Sequence, residues 1–406
     1  MGSSLLTTLL LLLVGALLAR LTATRLARWA VPAIVLELGV GFALGNTVLP
    51  FEQIRSLSGL LELGVLTLFF QVGLEVRGGL LGSRPAAVLR TVLLSALTPL
   101  LAWWPLQQAF GLSTATTLLF VAVLSATGTG VTLRALGQLG ALKTPSGRLL
   151  VGVSVLDDLP AIGLLTCSLL LAGTRLGGGA ATAGSGWLVL LGPALALLSV
   201  PLSSWWLRRH GPWQPGPLGM LLLLIGCSWI GEVTGVTSLL GALWGGVLFN
   251  RLAPMGEGTT EARELRGNLA LLSEVFLPLY FLGVGMRIQA GTLLQPSAWW
   301  LALVLLLLAI GCKLICGLGI SGRDQAAGVD RWVVVFGLIP RGLPGLVFAS
   351  TALASGVITA AQFSALVLMV SGTTVLGLLL LGRRLAAMAC PLPASPLSSS
   401  DLAGLR

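Results

Sequence analysis

Hydropathy along this chain alternates between long apolar runs and short breaks of charge, glycine or proline. Runs of about 17–25 apolar residues have the length of membrane-spanning helices. Thirteen are read here: 5–22, 30–49, 57–76, 86–109, 114–137, 147–172, 187–207, 218–234, 237–250, 267–287, 297–320, 331–354 and 361–382. The weakest separator is GEVTG at 231–235, between the eighth and ninth runs. The pattern predicts an all-α polytopic membrane protein with 13 transmembrane helices.

Two runs are interrupted at mid-depth, by ATGTG (126–130) in the fifth and IPRGLPG (339–345) in the twelfth. Glycine and proline there predict broken helices. The fifth span runs inward and the twelfth outward, seven spans apart, as in inverted repeats whose half-helix ends surround a transporter's central site.

Composition supports the membrane reading. Only 9% of the 406 residues are charged, against about 25% in a soluble domain, and the mean hydropathy is +0.97. The first 20 residues lack a basic start and end in Arg20. A signal peptide has the reverse order, so this segment is read as the first span. The five cysteines fall mostly within apolar segments and read as reduced core residues. The tail 385–406, rich in Ser and Pro, is expected to be disordered and cytoplasmic.

The net charge of +10 does not point to nucleic acid, because the basic residues are scattered between apolar runs. All but five of the 24 fall in alternate loops, at the span ends beside them, or in the C-terminal tail. The exceptions are Arg55, Arg175 and Arg287 on the other side, and Lys313 and Arg341 inside spans. By the positive-inside rule the N-terminus is outside and the C-terminus cytoplasmic.

Charge at bilayer depth costs about 2.5–3.5 kcal/mol per residue on insertion scales, and marks function by default. Glu62 and Glu75 lie near span ends and suit headgroup-level roles. Glu37 and Glu232 lie deeper, placed either for hydrogen bonding between helices or along an ion path. Asp157 and Asp158, in VSVLDDLPAIGLL (153–165), stand out. They lie about ten residues, roughly 15 Å, into the sixth span and therefore near the midplane. Adjacent helical positions diverge by about 100°, so one carboxylate can face a watery cavity while the other faces a helix. Pro160 removes the hydrogen bond to the carbonyl of Leu156, freeing that oxygen as a possible ligand. Mutual repulsion and poor solvation disfavour two charged carboxylates there, so protons and a hard monovalent cation could alternate at one site. Lys313, roughly 10 Å from the inner face, is placed to meet the aspartates or to snorkel. Arg341 is placed to compensate a half-helix C-terminus or neighbouring carbonyls.

At these residues the sequence resembles the monovalent cation:proton antiporters, in the branch of NapA-type sodium/proton exchangers. The likeness is carried by VPAIVLELGVGFALG (31–45), LFFQVGLEVRGGLL (68–81), SATGTGVTLRALGQLGALKTPSGRLLVGVSVLDDLPAI (125–162), FLPLYFLGVGMRI (276–288), GCKLICG (311–317) and IPRGLPGLVFASTALASGVI (339–358). It implies NhaA/NapA-like inverted repeats with two broken crossing helices, in a homodimer. Scaffold helices would occupy 1–85 and 218–287, a linker helix 186–210, and the moving core 86–172 and 297–384.

The resemblance also implies sodium or lithium exchange for protons by an elevator movement in the plasma (inner) membrane, with no cofactor and no enzymatic reaction. Asp158 would carry the cation or proton, Asp157 would share the Na⁺ site and pair with Lys313, and Thr127 and Thr129 would line it. Two features depart from the pattern. Many relatives carry Glu after IPRG, where this chain has Leu343-Pro344, and the single histidine, His210, argues against a histidine pH sensor.

Rival readings are K⁺/H⁺ exchange, for which the regulated relatives usually append a nucleotide-binding domain and carry Gln-Asp, and sodium-coupled uptake of an organic anion. An intramembrane aspartyl protease needs a second deep Asp on another helix, and prenyl transfer needs spaced aspartates at two sites. Neither pattern is present.

Overall fold

A computed structural model describes residues 5–26, 33–54, 57–75, 84–128, 131–132, 135–136, 141, 144–172, 188–211, 213, 216–234, 238–253 and 260–389. Among them every regular element is helical. Among the described residues, five stretches are long and apolar enough to cross a membrane: Leu6–Arg25, Pro85–Phe110, Gly267–Met286, Pro296–Gly319 and Ala360–Met388. Other apolar helices are shorter, Thr114–Ser125 and Pro344–Ala354 among them. Those two are short because the Gly/Pro interruptions divide their runs.

The helices pack in two groups. The first comprises α1 (Leu5–Leu26), α2 (Ala33–Thr47), α3 (Phe51–Ile54), α4 (Ser58–Glu75) and, later in the chain, a second set of helices. The second comprises α5 (Pro85–Leu97), which passes through a 3₁₀ turn into α6 (Trp103–Phe110), then α7 (Thr114–Ser125) and α8 (Pro145–Leu171). After α9 (Leu188–His210), the chain returns to the first group with α10 (Pro217–Val233), α11 (Ser238–Leu252) and α12 (Thr260–Met286). It closes the second group with α13 (Ala290–Leu293), α14 (Pro296–Cys316), α15 (Gly322–Ala326), α16 (Arg331–Leu338), α17 (Gly342–Ala354) and α18 (Ala360–Ala389). In the first group α2 lies on α12, α4 on α11 and α12, and α10 on α11; α9 also leans on α11. In the second, α7 lies on α8 and α17, α14 on α5 and α18, and α16 on α8 and α18.

Glycine sets the spacing of the first group. A Cβ on Gly73 would lie 2.0 Å from the carbonyl oxygen of Leu243, and one on Gly246 would lie 2.1 Å from that of Phe70. The α2–α12 crossing is similar, with Gly41 and Gly285 at 2.2 and 2.3 Å from the carbonyl oxygens of Leu282 and Leu38. Helix backbones therefore touch directly, the packing that small residues permit in lipid.

Two acidic residues tie polar ends of the second group. Asp324 accepts hydrogen bonds from Arg90 at 2.8 Å, Arg84 at 3.1 Å and the Ser321 hydroxyl at 2.6 Å. Asp330 caps α16 through the Val333 N–H and pairs with Arg384 at 2.6 Å.

Two details differ from the sequence reading. Helix α18 continues to Ala389, beyond the expected tail start at 385, because LAAMA (385–389) suits a helix; residues 390–406 lie outside the described ones. Glu232 is the penultimate residue of α10 and is exposed, at the end of the helix rather than within it. Glu37 is buried, and the side chain of Glu75 lies outside the described set.

Candidate functional site

Both Gly/Pro interruptions are present, and they meet. Helix α7 ends at Ser125 and residues 126–128 are non-helical; α16 ends at Leu338 and α17 starts at Gly342. The N–H of Gly128 donates to the carbonyl of Pro340 at 2.5 Å. A Cβ on Gly128 would lie 2.7 Å from the backbone nitrogen of Gly342. Gly342 itself adopts φ +43°, in the left-handed region that disfavours side chains. Only glycine at both positions allows this approach.

Around the contact lie three fully buried charged residues: Asp157 on α8, Lys313 in the last turn of α14, and Arg341 at the second break. The Lys313 ammonium lies 3.1 Å from Asp157 Oδ2. It also donates to Thr127 Oγ1 at 2.9 Å, to the carbonyl of Ser125 at 3.1 Å and to Ser95 Oγ. The Thr127 hydroxyl in turn donates to Asp157 Oδ2. Full burial excludes the snorkelling alternative for Lys313, whose chain points inward towards these oxygens.

Arg341 donates to the carbonyls of Ala126 at 2.8 Å and Ala309 at 3.0 Å. Ala126 and Ser125 terminate α7, so both buried cations sit at the helix end where unpaired carbonyls and the dipole favour positive charge. Two cations in apolar surroundings need such partners, because an unpaired buried charge is strongly disfavoured. Among the described residues, Asp157 Oδ1 has no hydrogen-bond partner. That oxygen keeps its lone pairs for a cation or a proton.

The structure thus gathers Asp157, Thr127, Lys313 and Arg341, four of the residues singled out in the sequence. The backbone of Asp158 continues α8 immediately after Asp157, but its side chain lies outside the described set, as does all of Thr129. Helix α8 runs on through Pro160. Ser95 on α5 was missed: a lone serine in TVLLSALTPL has no local mark separating it from a packing residue. The carbonyls of Ser125, Ala126 and Ala309 were likewise missed as individual partners.

The arrangement sets a buried carboxylate, with one oxygen unpartnered among the described residues, against an internal ammonium, the kind of oxygen donor that suits a small hard cation or a proton. The family model described as "Sodium/hydrogen exchanger, transmembrane" matches residues 9–382. The chain is 28% identical over 347 residues to the high-affinity Na⁺/H⁺ antiporter NhaS3 of Synechocystis, covering 79% of this chain and 70% of that protein. It is 24% identical over 358 residues to the Na⁺/H⁺-K⁺ antiporter GerN of Bacillus cereus, covering 85% and 88%. It is 26% identical over 364 residues to a Na⁺/H⁺ antiporter of Enterococcus hirae, covering 87% and 92%. Among solved structures, the sodium proton antiporter MjNhaP1 of Methanocaldococcus jannaschii at pH 8 aligns with a TM-score of 0.65 and 17% identity, covering 95% of this chain and 98% of that one. The helical fold is therefore shared with that antiporter, and the chain belongs to the sodium/hydrogen exchanger family of transmembrane proteins.

Proposed function

We propose that this protein is a secondary-active antiporter exchanging sodium, or lithium, for protons across the plasma membrane, and that it serves sodium and pH homeostasis. The observation that carries the reading is the buried Asp157–Lys313 pair at the contact of two helix breaks, in a chain of this family. In this reading Asp158 carries the cation or proton and Asp157 contributes its unpartnered Oδ1 to the Na⁺ site. Thr127 and Thr129 line it. Occupancy weakens the Asp157–Lys313 pair, and Arg341 holds the α7 end in place. No cofactor is required.

The same reading assigns thirteen spans in inverted repeats, with the N-terminus outside and the C-terminus cytoplasmic. The first helix group, with α1–α4 and α10–α12, is the scaffold of a homodimer, and α9 is its linker. The second group, α5–α8 and α14–α18, moves as an elevator. The separation of the packing into two groups supports this division.

The test is sodium-driven proton movement in proteoliposomes. Wild type should exchange and Asp158→Asn should not; normal flux in that variant would sink the assignment. A second reading, potassium exchange, is favoured by the likeness to GerN, described as a Na⁺/H⁺-K⁺ antiporter. Replacing sodium by potassium in the same vesicles separates the two.

A further inference from the structure

Lys313 has more acceptors than it can use at once. An ammonium has three N–H groups, and four oxygens lie within hydrogen-bond reach: Ser95 Oγ, Ser125 O, Thr127 Oγ1 and Asp157 Oδ2. Three of the four are neutral and belong to no carboxylate. Their number equals the number of N–H groups.

We propose that Ser95 is a positioning residue for Lys313, holding the ammonium when Asp157 turns from it to a transported cation. The proposal rests on the exchange activity inferred above. With Asp157 released, Ser95, Ser125 and Thr127 satisfy all three N–H groups, so the lysine neither moves nor leaves a donor unmet. Remove the Ser95 hydroxyl and the released ammonium has two acceptors for three donors. In a fully buried site that shortfall is costly. The cost falls on the cation-bound state and is absent from the state in which Asp157 still accepts. Sodium must then displace a more firmly held lysine.

Ser95 is the suitable residue for this task. It is fully buried on α5, whereas Ser125 and Thr127 follow from α7 and Asp157 lies on α8. The Ser125 contact is a backbone carbonyl that no substitution removes, and the Thr127 hydroxyl is committed as a donor to Asp157. Ser95 alone contributes a side-chain oxygen independent of the carboxylate. Its own carbonyl accepts from the Ser125 hydroxyl at 3.5 Å, which fixes α5 beside the end of α7.

The experiment measures sodium dependence of exchange in proteoliposomes and sodium protection against thermal unfolding in detergent, for wild type, Ser95→Ala, Ser95→Thr and Ser95→Cys. Ser95→Ala should raise the half-saturating sodium concentration about tenfold in both measurements, and by a larger factor than it lowers the maximal rate. Ser95→Thr, which keeps the hydroxyl, should return half-saturation to within about twofold of wild type. Ser95→Cys, a weaker acceptor of similar shape, should fall between, and it serves alone if Ser95→Ala does not fold. Unchanged half-saturation in Ser95→Ala or Ser95→Cys overturns the proposal. So does a lower maximal rate with no change in half-saturation, or failure of threonine to rescue. Wild-type protein that neither binds nor exchanges sodium overturns the antiporter reading, and this one with it.

Discussion

The guanidinium of Arg341, at one helix break, donates to the carbonyl of Ala126, at the other, over 2.8 Å. A second arm reaches Ala309 on α14, so one planar group joins three segments. Arg341→Ala removes hydrogen bonds between a charged donor and two buried carbonyls, each worth about 1.5–3 kcal/mol. The melting temperature in detergent should drop markedly. Arg341→Lys should recover little, because a single ammonium lacks the fork that spans two carbonyls. Equal stability of the lysine variant and wild type would refute the two-carbonyl role.

Contact between Gly128 and Gly342 makes a graded prediction. A Cβ at residue 128 meets the backbone nitrogen of Gly342 at 2.7 Å, which no rotamer change relieves. At residue 342 it meets Gly128 Cα at 3.0 Å and also carries the left-handed penalty of about 1–2 kcal/mol. Both alanine variants should lose stability and exchange. Gly39→Ala on α2 has no neighbour within 4 Å and should behave as wild type. Unfolding temperatures of the three variants, measured side by side, check this order.

Breaking the Asp157–Lys313 pair from one side strands the other charge. Lys313→Met should cost about 3–5 kcal/mol. Removing both charges, as Lys313→Met with Asp157→Asn, should restore part of that loss. A double-mutant cycle on thermal unfolding measures the coupling, and additive losses would show that the two side chains do not depend on each other.

Strong acid should loosen the polar end of the second group. The Ser321 hydroxyl, with Arg84 and Arg90 beside it, outweighs burial and holds the Asp324 carboxyl below its usual pKa. Its stabilising contribution is therefore complete above about 3.9, the unfolded value, and is lost as pH falls through the lower folded value. Asp324→Asn should reduce stability by about 1 kcal/mol near neutrality. That difference from wild type should shrink as pH falls below about 3.9. A difference that stays constant across the acid range would rule out titration of Asp324 as its source.

Much of this was legible in the sequence because membrane insertion penalises charge and backbone irregularity so heavily. Asp157, Lys313 and Arg341 were conspicuous as buried charges, and ATGTG and IPRGLPG as interruptions. Each had to find a partner, and few partners exist at that depth. Ser95 was invisible because a serine costs little in a membrane helix and its role depends on which helix lies opposite. The same limit applies to Ala126 and Ala309, whose carbonyls matter although their side chains say nothing. Glu232 misled because its depth follows from where α10 ends, and the separator after Val233 is weak.

The glycine crossings of α4 with α11, and of α2 with α12, bring backbone against backbone at the points where the helices meet. Shear between packed helices works by side chains exchanging small adjustments across an interface. Where carbonyl oxygen faces Cα there is nothing to adjust, and neighbouring helices become a single stiff plate. Such a plate resists displacement within itself and behaves as one body. Enlarging Gly73 or Gly246 by a single methyl group would therefore pry the plate apart.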